Sequence, residues 1–254
     1  MLWYKTWLET RLRFLVGLAV LLCSAAGVVL QYPRVVELLG QMPAVSLGGE
    51  IGRRVQEAVE HSRHYRSYVW SQGFRQNLAQ MGTLFAVVLG TGVFFHFSRG
   101  AALYTLSLPV SRSRLLGVRA ATGLAQWLAM ALLPSLLIAV LSPTVGQSFG
   151  LVDALAHGLC LFFAGAVFFS LTVLLSTLFA VVWRPLLLAL LAAVVLSIPD
   201  QVGAGWSRYS LSGLMSGEAF FRTGRMPWLG LFAAASLSAA LLYGAARNFA
   251  RRDF

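Results

Sequence analysis

The chain has 254 residues, of which 58% are apolar and only 11% charged, and its net charge is +11. A soluble domain averages about 25% charged residues, so this composition excludes a water-soluble globule and makes lipid the main solvent of the side chains. The positive charge sits in loops and tails between apolar runs, with no basic face or stacking motif, which excludes nucleic acid as a partner and fits a membrane surface instead.

The first thirteen residues predict an amphipathic helix. At 100° per residue Lys5, Glu9 and Arg13 fall in one row with Thr6 and Thr10 beside it. Trp3, Tyr4, Trp7, Leu8, Leu12 and Phe14 cover the opposite arc, with Arg11 free to snorkel. This pattern suits a helix lying on the inner membrane surface and feeding the first span; a first span that simply starts early is the alternative reading of the same residues. No cleavable leader is expected, because Trp3, Tyr4, Trp7 and Glu9 interrupt any short basic signal.

A membrane span needs about 20 mostly apolar residues. Six segments predict spans: 14–30, 78–97, 120–141, 154–182, 185–199 and 228–246. The fourth is long enough to require tilt or extension beyond the hydrocarbon, and the fifth is short. An even count places both termini on one side. With the N-terminus inside, the inner segments hold eleven Lys and Arg against two acids, and the outer loops hold nine against seven. The positive-inside rule therefore favours cytoplasmic termini. The sequence thus predicts an all-α polytopic membrane protein, a single domain over 1–254 with six transmembrane helices.

The outer loop 31–76 is too long for a plain connection. Its centre, 53–70, has a helical pattern with Val55, Ala58, Val59, Tyr65, Val69 and Trp70 on one broad face. Glu57, Glu60, His61 and His64 recur there at i, i+3, i+4 and i+7. That spacing could serve a transition metal. A solvated face with ion pairs to Arg53, Arg54 and Arg63 accounts for the same residues. His157, early in the fourth span and close to Asp153, is an intramembrane ionisable group; it suits either a proton or substrate role or a hydrogen bond to a headgroup or neighbouring helix. The stretch 200–226 is Gly-punctuated, aromatic and apolar enough to dip back into the membrane.

No HExxH, Walker A or GxSxG motif occurs, so no enzymatic activity and no cofactor are expected of the chain itself. Cys23 and Cys160 fall inside apolar runs without metal spacing and imply no disulfide framework. Serines such as Ser170, Ser176, Ser197, Ser236 and Ser238 are expected to pack or to bond between helices, and Ala189, Ala193 and Ser197 form a small-residue ridge.

The basic segment 99–119, RGAALYTLSLPVSRSRLLGVR, lies between the second and third spans and contains Arg99, Arg112, Arg114 and Arg119 but no acid. It resembles the first cytoplasmic loop of the ABC-type-two permeases, the membrane subunits of ATP-binding-cassette exporters. In that family a glycine near the end of the second span precedes a short helix and a Leu-Ser-x-Pro-x-Ser-Arg turn; here these are Gly100 and then Leu106, Ser107, Pro109, Ser111 and Arg112. The six-span layout, the interfacial first helix and the tail NFARRDF are also similar. The family often carries acids just before the glycine, where this chain has His96 and Ser98.

The resemblance implies a permease in the bacterial inner membrane, working as a dimer with a second copy or homologue and coupled to a separate ABC ATPase subunit that holds ATP and Mg. Residues 101–108 would form the coupling helix. Gly100 would precede it, Leu103, Tyr104, Leu106 and Leu108 would seat in the ATPase, and Pro109 would end it. Arg112 and Arg114 would bind headgroups or ATPase acids. Segment 200–226 would serve as an extracytoplasmic gate. A lipid-binding connector in a non-transporting accessory or assembly protein is the alternative reading of the same loop.

Overall fold

A computed structural model describes residues 2–41, 64–92, 112–179, 181, 183–202 and 210–251. Every regular element among them is helical. Helix α1 is Leu2–Gln41. Helix α2 begins as Tyr65–Tyr68, widens into a π-helix over Val69–Leu78 and returns to α geometry over Ala79–Gly92. Helix α3 is Arg112–Leu141 and runs into a 3₁₀ turn, Ser142–Val145. Helices α4, Leu151–Leu178, and α5, Trp183–Val202, follow. Two short helices come next, α6, Leu211–Ser216, and α7, Glu218–Thr223. Helix α8 is Trp228–Arg251.

Four of these, α1, α3, α4 and α8, are long and apolar enough to cross a membrane. The chain is therefore an all-helical, membrane-embedded protein with four candidate spans among the described residues. The other two predicted spans are not among these four. Helix α5 has an apolar stretch over Trp183–Ser197, and the described apolar part of α2 is the 14-residue Ala79–Gly92; residues 93–97 of that predicted span lie outside the described residues.

Helix α4 is the centre of the bundle: α2, α3, α5, α6 and α8 all pack on it. Its sequence explains this position. In lipid, apolar surface alone gives helices no reason to associate, and small residues that admit close approach do the work. Gly165 leaves room for the Trp127 indole of α3, where an added Cβ would collide, and the indole Nε1–H donates to the Phe162 carbonyl at 2.9 Å. Gly158 faces Leu132 and Ser135. On α2, Gly90 would meet the Phe169 backbone of α4 if it carried a Cβ. Several buried hydroxyls are satisfied within their own helices: Ser135 donates to Ala131, Thr172 to Phe168 and Ser176 to Thr172, each at 2.7–2.8 Å.

Two sequence expectations change. The first thirteen residues are not a separate helix, because α1 runs without a break for 40 residues, about 60 Å of helix against a hydrocarbon core of about 30 Å. Their polar row also faces inward. Thr6 and Thr10 are buried, while Trp3, Tyr4, Trp7, Leu8 and Leu12 are exposed. Of the helix expected over 53–70, residues 53–63 lie outside the described residues; 65–70 are helical, and the backbone of His64 is extended immediately before them.

Candidate functional site

Two polar constellations lie within the apolar bundle, one at the end formed by the starts of α1 and α3 and the other where α6 and α7 fold back on α2 and α4.

At the first end, the sequence reading assigns Arg119 to a solvated basic loop. The structure turns it inward on α3, with a side chain only 5% exposed. Its Nη2 donates to Glu9 Oε2 at 3.0 Å. Seven residues on, Gln126 Nε2 donates to Thr10 Oγ1 at 2.7 Å, and that hydroxyl donates to the Thr6 carbonyl at 3.0 Å. The polar row of α1 thus meets a polar row of α3 (Arg119, Thr122, Gln126); the α3 row and Thr6 and Thr10 of the α1 row are buried, while Lys5, Glu9 and Arg13 are half-buried. The loop that precedes this seam is bounded by α2, ending at Gly92, and α3, starting at Arg112. Gly100, Leu103, Tyr104, Leu106, Leu108 and Pro109 lie outside the described residues, as does the side chain of Arg112. Arg114 is exposed on the first turn of α3.

At the other end, α6 and α7 form a tight hairpin. Ser210 caps α6 by accepting from the Gly213 N–H at 2.9 Å, and Gly217, with φ 68°, makes the left-handed turn into α7. The freed carbonyl of Ser216 accepts two hydrogen bonds, from Trp70 Nε1–H of α2 and from His157 Nδ1–H of α4, each at 3.2 Å. His157 is 1% exposed. Its ring stacks on Phe74 with centroids 4.4 Å apart and meets the edge of Phe220 at 5.4 Å. Trp70 stacks flat on Phe221, 4.4 Å apart and 4° from parallel. Of the expected roles for His157, the structure shows a bond to a neighbouring helix. Asp153 pairs instead with Arg66 of α2 at 3.5 Å. Residues 203–209 of the predicted gate segment lie outside the described residues.

Beside the hairpin, Tyr32 meets Tyr65 edge to face and Tyr68 at a tilt, and the Tyr65 hydroxyl pairs with Ser142 Oγ at 2.6 Å. Burial raises the pKa of both Tyr65 and Tyr68 above the ordinary phenol value, opposed at Tyr65 by the Ser142 hydrogen bond.

The π-helical part of α2 turns Trp70, Phe74 and Leu78 inward and leaves Gln72, Arg75 and Gln76 exposed, and Gln80 is exposed on the next turn. Arg75 lies over the Trp70 ring, 5.6 Å from its centroid. No sequence period announces the π geometry. As for metal, His64 is exposed and extended, Glu57, Glu60 and His61 lie outside the described residues, and among the described residues no three His, Cys, Asp or Glu side chains group as ligands.

No family model matches the chain, and no curated protein or solved structure matches it significantly.

Proposed function

We propose that the chain is the permease subunit of an ATP-driven ABC exporter, forming a substrate path in a dimer and driven by a separate ATPase docked on the loop between α2 and α3. Besides the resemblance of residues 100–119, the observation that carries this reading is the outward face of α2. The other long helices expose mainly apolar side chains, such as Leu12 and Leu15 on α1, Val140 on α3, Leu191 and Val194 on α5, and Leu229 and Phe232 on α8. Helix α2 exposes Gln72, Arg75, Gln76 and Gln80, followed by Met81 and Leu84.

The lower end of this polar stripe is deep. Gly82 faces Leu161, about 15 Å along α4 from its Leu151 end. An amide left bare in hydrocarbon costs several kcal/mol by order of magnitude, so the stripe favours water or a polar partner over lipid. A polar face on the helix that leads straight into the basic loop is what a solute path coupled to an external motor needs. ATP-driven closure would act on that loop and move the α2–α3 hairpin as a rigid unit. ATP and Mg belong to the motor, and both termini and the loop face the cytoplasm.

Co-purification tests the proposal. The tagged chain, extracted gently from its native membrane, is expected to bring down an ABC ATPase, and the double variant Tyr104→Asp, Leu106→Asp is expected to insert normally but lose that ATPase. Retained association would place docking elsewhere. A chain that brings down no ATPase at all would point to the accessory-protein reading.

A further inference from the structure

We infer that the first sixteen residues of α1 form a lipid anchor that passes obliquely through the headgroup layer, with its outward arc seated against anionic lipid of the leaflet at that end of the bundle. This does not depend on the transport reading. It rests on the direction of the helix, the fate of its polar row and the order of its exposed residues.

Helix α1 is unbroken from Leu2 to Gln41, so its first turns continue the axis of the segment that crosses the membrane. A helix lying flat on a bilayer presents its polar face to water. Here the middle of that face turns into the protein: Thr6 and Thr10 are buried, Glu9 is bound by Arg119 and Thr10 by Gln126, and Lys5 and Arg13 are half-buried. What remains outside is Trp3, Tyr4, Trp7, Leu8, Arg11, Leu12, Leu15 and Val16, with Tyr4 70% and Leu12 72% exposed. Reading inward, the aromatic residues Trp3, Tyr4 and Trp7 come first, Leu8 and Arg11 follow, and beyond Arg11 the exposed residues are aliphatic. That is the sequence of environments a helix meets in going from headgroups to hydrocarbon. The exposed charge on the arc is Arg11, while the single acid, Glu9, is neutralised by Arg119. The arc is therefore aromatic and cationic, which complements anionic headgroups over zwitterionic ones.

The test uses the full chain in nanodiscs of mixed phosphatidylcholine and phosphatidylglycerol. Cys23, which is exposed, is replaced by Ser; Cys160 is buried and stays. Spin labels are placed singly through Tyr4→Cys, Leu8→Cys, Leu12→Cys and Leu15→Cys, and depth is read from the accessibility of oxygen relative to a water-soluble nickel chelate. The expected result is a steady increase in depth from position 4 to position 15, spanning at most about 16 Å for a helix along the membrane normal. Equal depths at 4, 8 and 12 would mean a surface helix and overturn the inference. Low accessibility to both reagents at all four positions would mean a protein occupant and overturn it equally. In the same discs Arg11→Gln should lower the preference of the motionally restricted lipid shell for phosphatidylglycerol by as much as about fivefold; an unchanged preference would remove the anionic-lipid assignment.

Discussion

The two ends of the bundle are held by different chemistry. Where α1 meets α3, long-range side-chain pairs do it: a carboxylate with a guanidinium, a hydroxyl with an amide. Where the α6–α7 hairpin meets α2 and α4, flat rings stack and two ring N–H groups converge on one backbone carbonyl. Both devices solve the same problem, since apolar contact in lipid does not by itself fix which helices meet or in what register. They differ in redundancy. In the charged pair, losing either member takes the counter-charge from the other, and Arg119 is only 5% exposed. The Ser216 carbonyl has two donors, so losing one leaves it still satisfied.

The largest expected effect therefore lies at the charged end. Glu9→Ala should destabilise the protein by about 3–5 kcal/mol, the usual consequence of stripping one member from a buried pair. The paired change Glu9→Leu with Arg119→Met should recover most of that loss. Denaturant or SDS titration of the three proteins in one detergent measures both. A loss below about 1 kcal/mol for Glu9→Ala would show that the pair does not set the α1–α3 register.

The hairpin end should yield most to a change in shape. Gly217 has φ 68°, and a Cβ there would strike His157 Nδ1. Gly217→Ala combines the left-handed backbone penalty with displacement of the imidazole, about 2–3 kcal/mol in all. The readout is faster proteolysis within 210–224. By contrast, Trp70→Phe, which keeps the ring and removes one of the two donors to Ser216, should cost only about 1 kcal/mol. Equal effects of the two changes would contradict the redundancy assigned to the carbonyl.

The same contrast marks what was legible in the sequence. Long apolar runs announced α1, α3, α4 and α8, because hydrophobic length is a one-dimensional property. The row Thr6, Glu9, Thr10, Arg13 was equally visible, yet its orientation was not. A polar row turns to water or to a matching row elsewhere, and only folding brings Arg119 and Gln126 opposite it. The small-residue ridge of Ala189, Ala193 and Ser197 indicated close helix approach on α5, but nothing in the sequence named Trp127 as the side chain that fills the gap at Gly165 of α4. The π-helix was invisible, since a widened turn leaves no distinctive period over ten residues. Polar residues such as Gln72 and Gln76 argued for a loop there, whereas the structure makes them the bare face of a helix whose other face carries Trp70 and Phe74.

The smallest expected effect concerns the tyrosine cluster beside the hairpin and is best seen through pH. Tyr65 and Tyr68 have phenol pKa values raised chiefly by burial. A phenol held above its ordinary value stays protonated in the folded protein while the unfolded chain begins to ionise. Stability conferred this way is complete below the ordinary value of 10.0 and is lost as pH rises through the raised folded value. Unfolding titrations at rising pH should therefore show falling stability above about pH 10. Tyr65→Phe removes the hydrogen bond to Ser142, which still donates to the Ile138 carbonyl, so its cost at neutral pH should be near 1 kcal/mol. In exchange it should flatten part of the alkaline slope, and Tyr65→Phe with Tyr68→Phe should flatten more of it. An alkaline slope identical in all three proteins would shift the cause of alkaline unfolding away from this cluster, and would leave the hairpin end held by stacking and the Ser216 carbonyl alone.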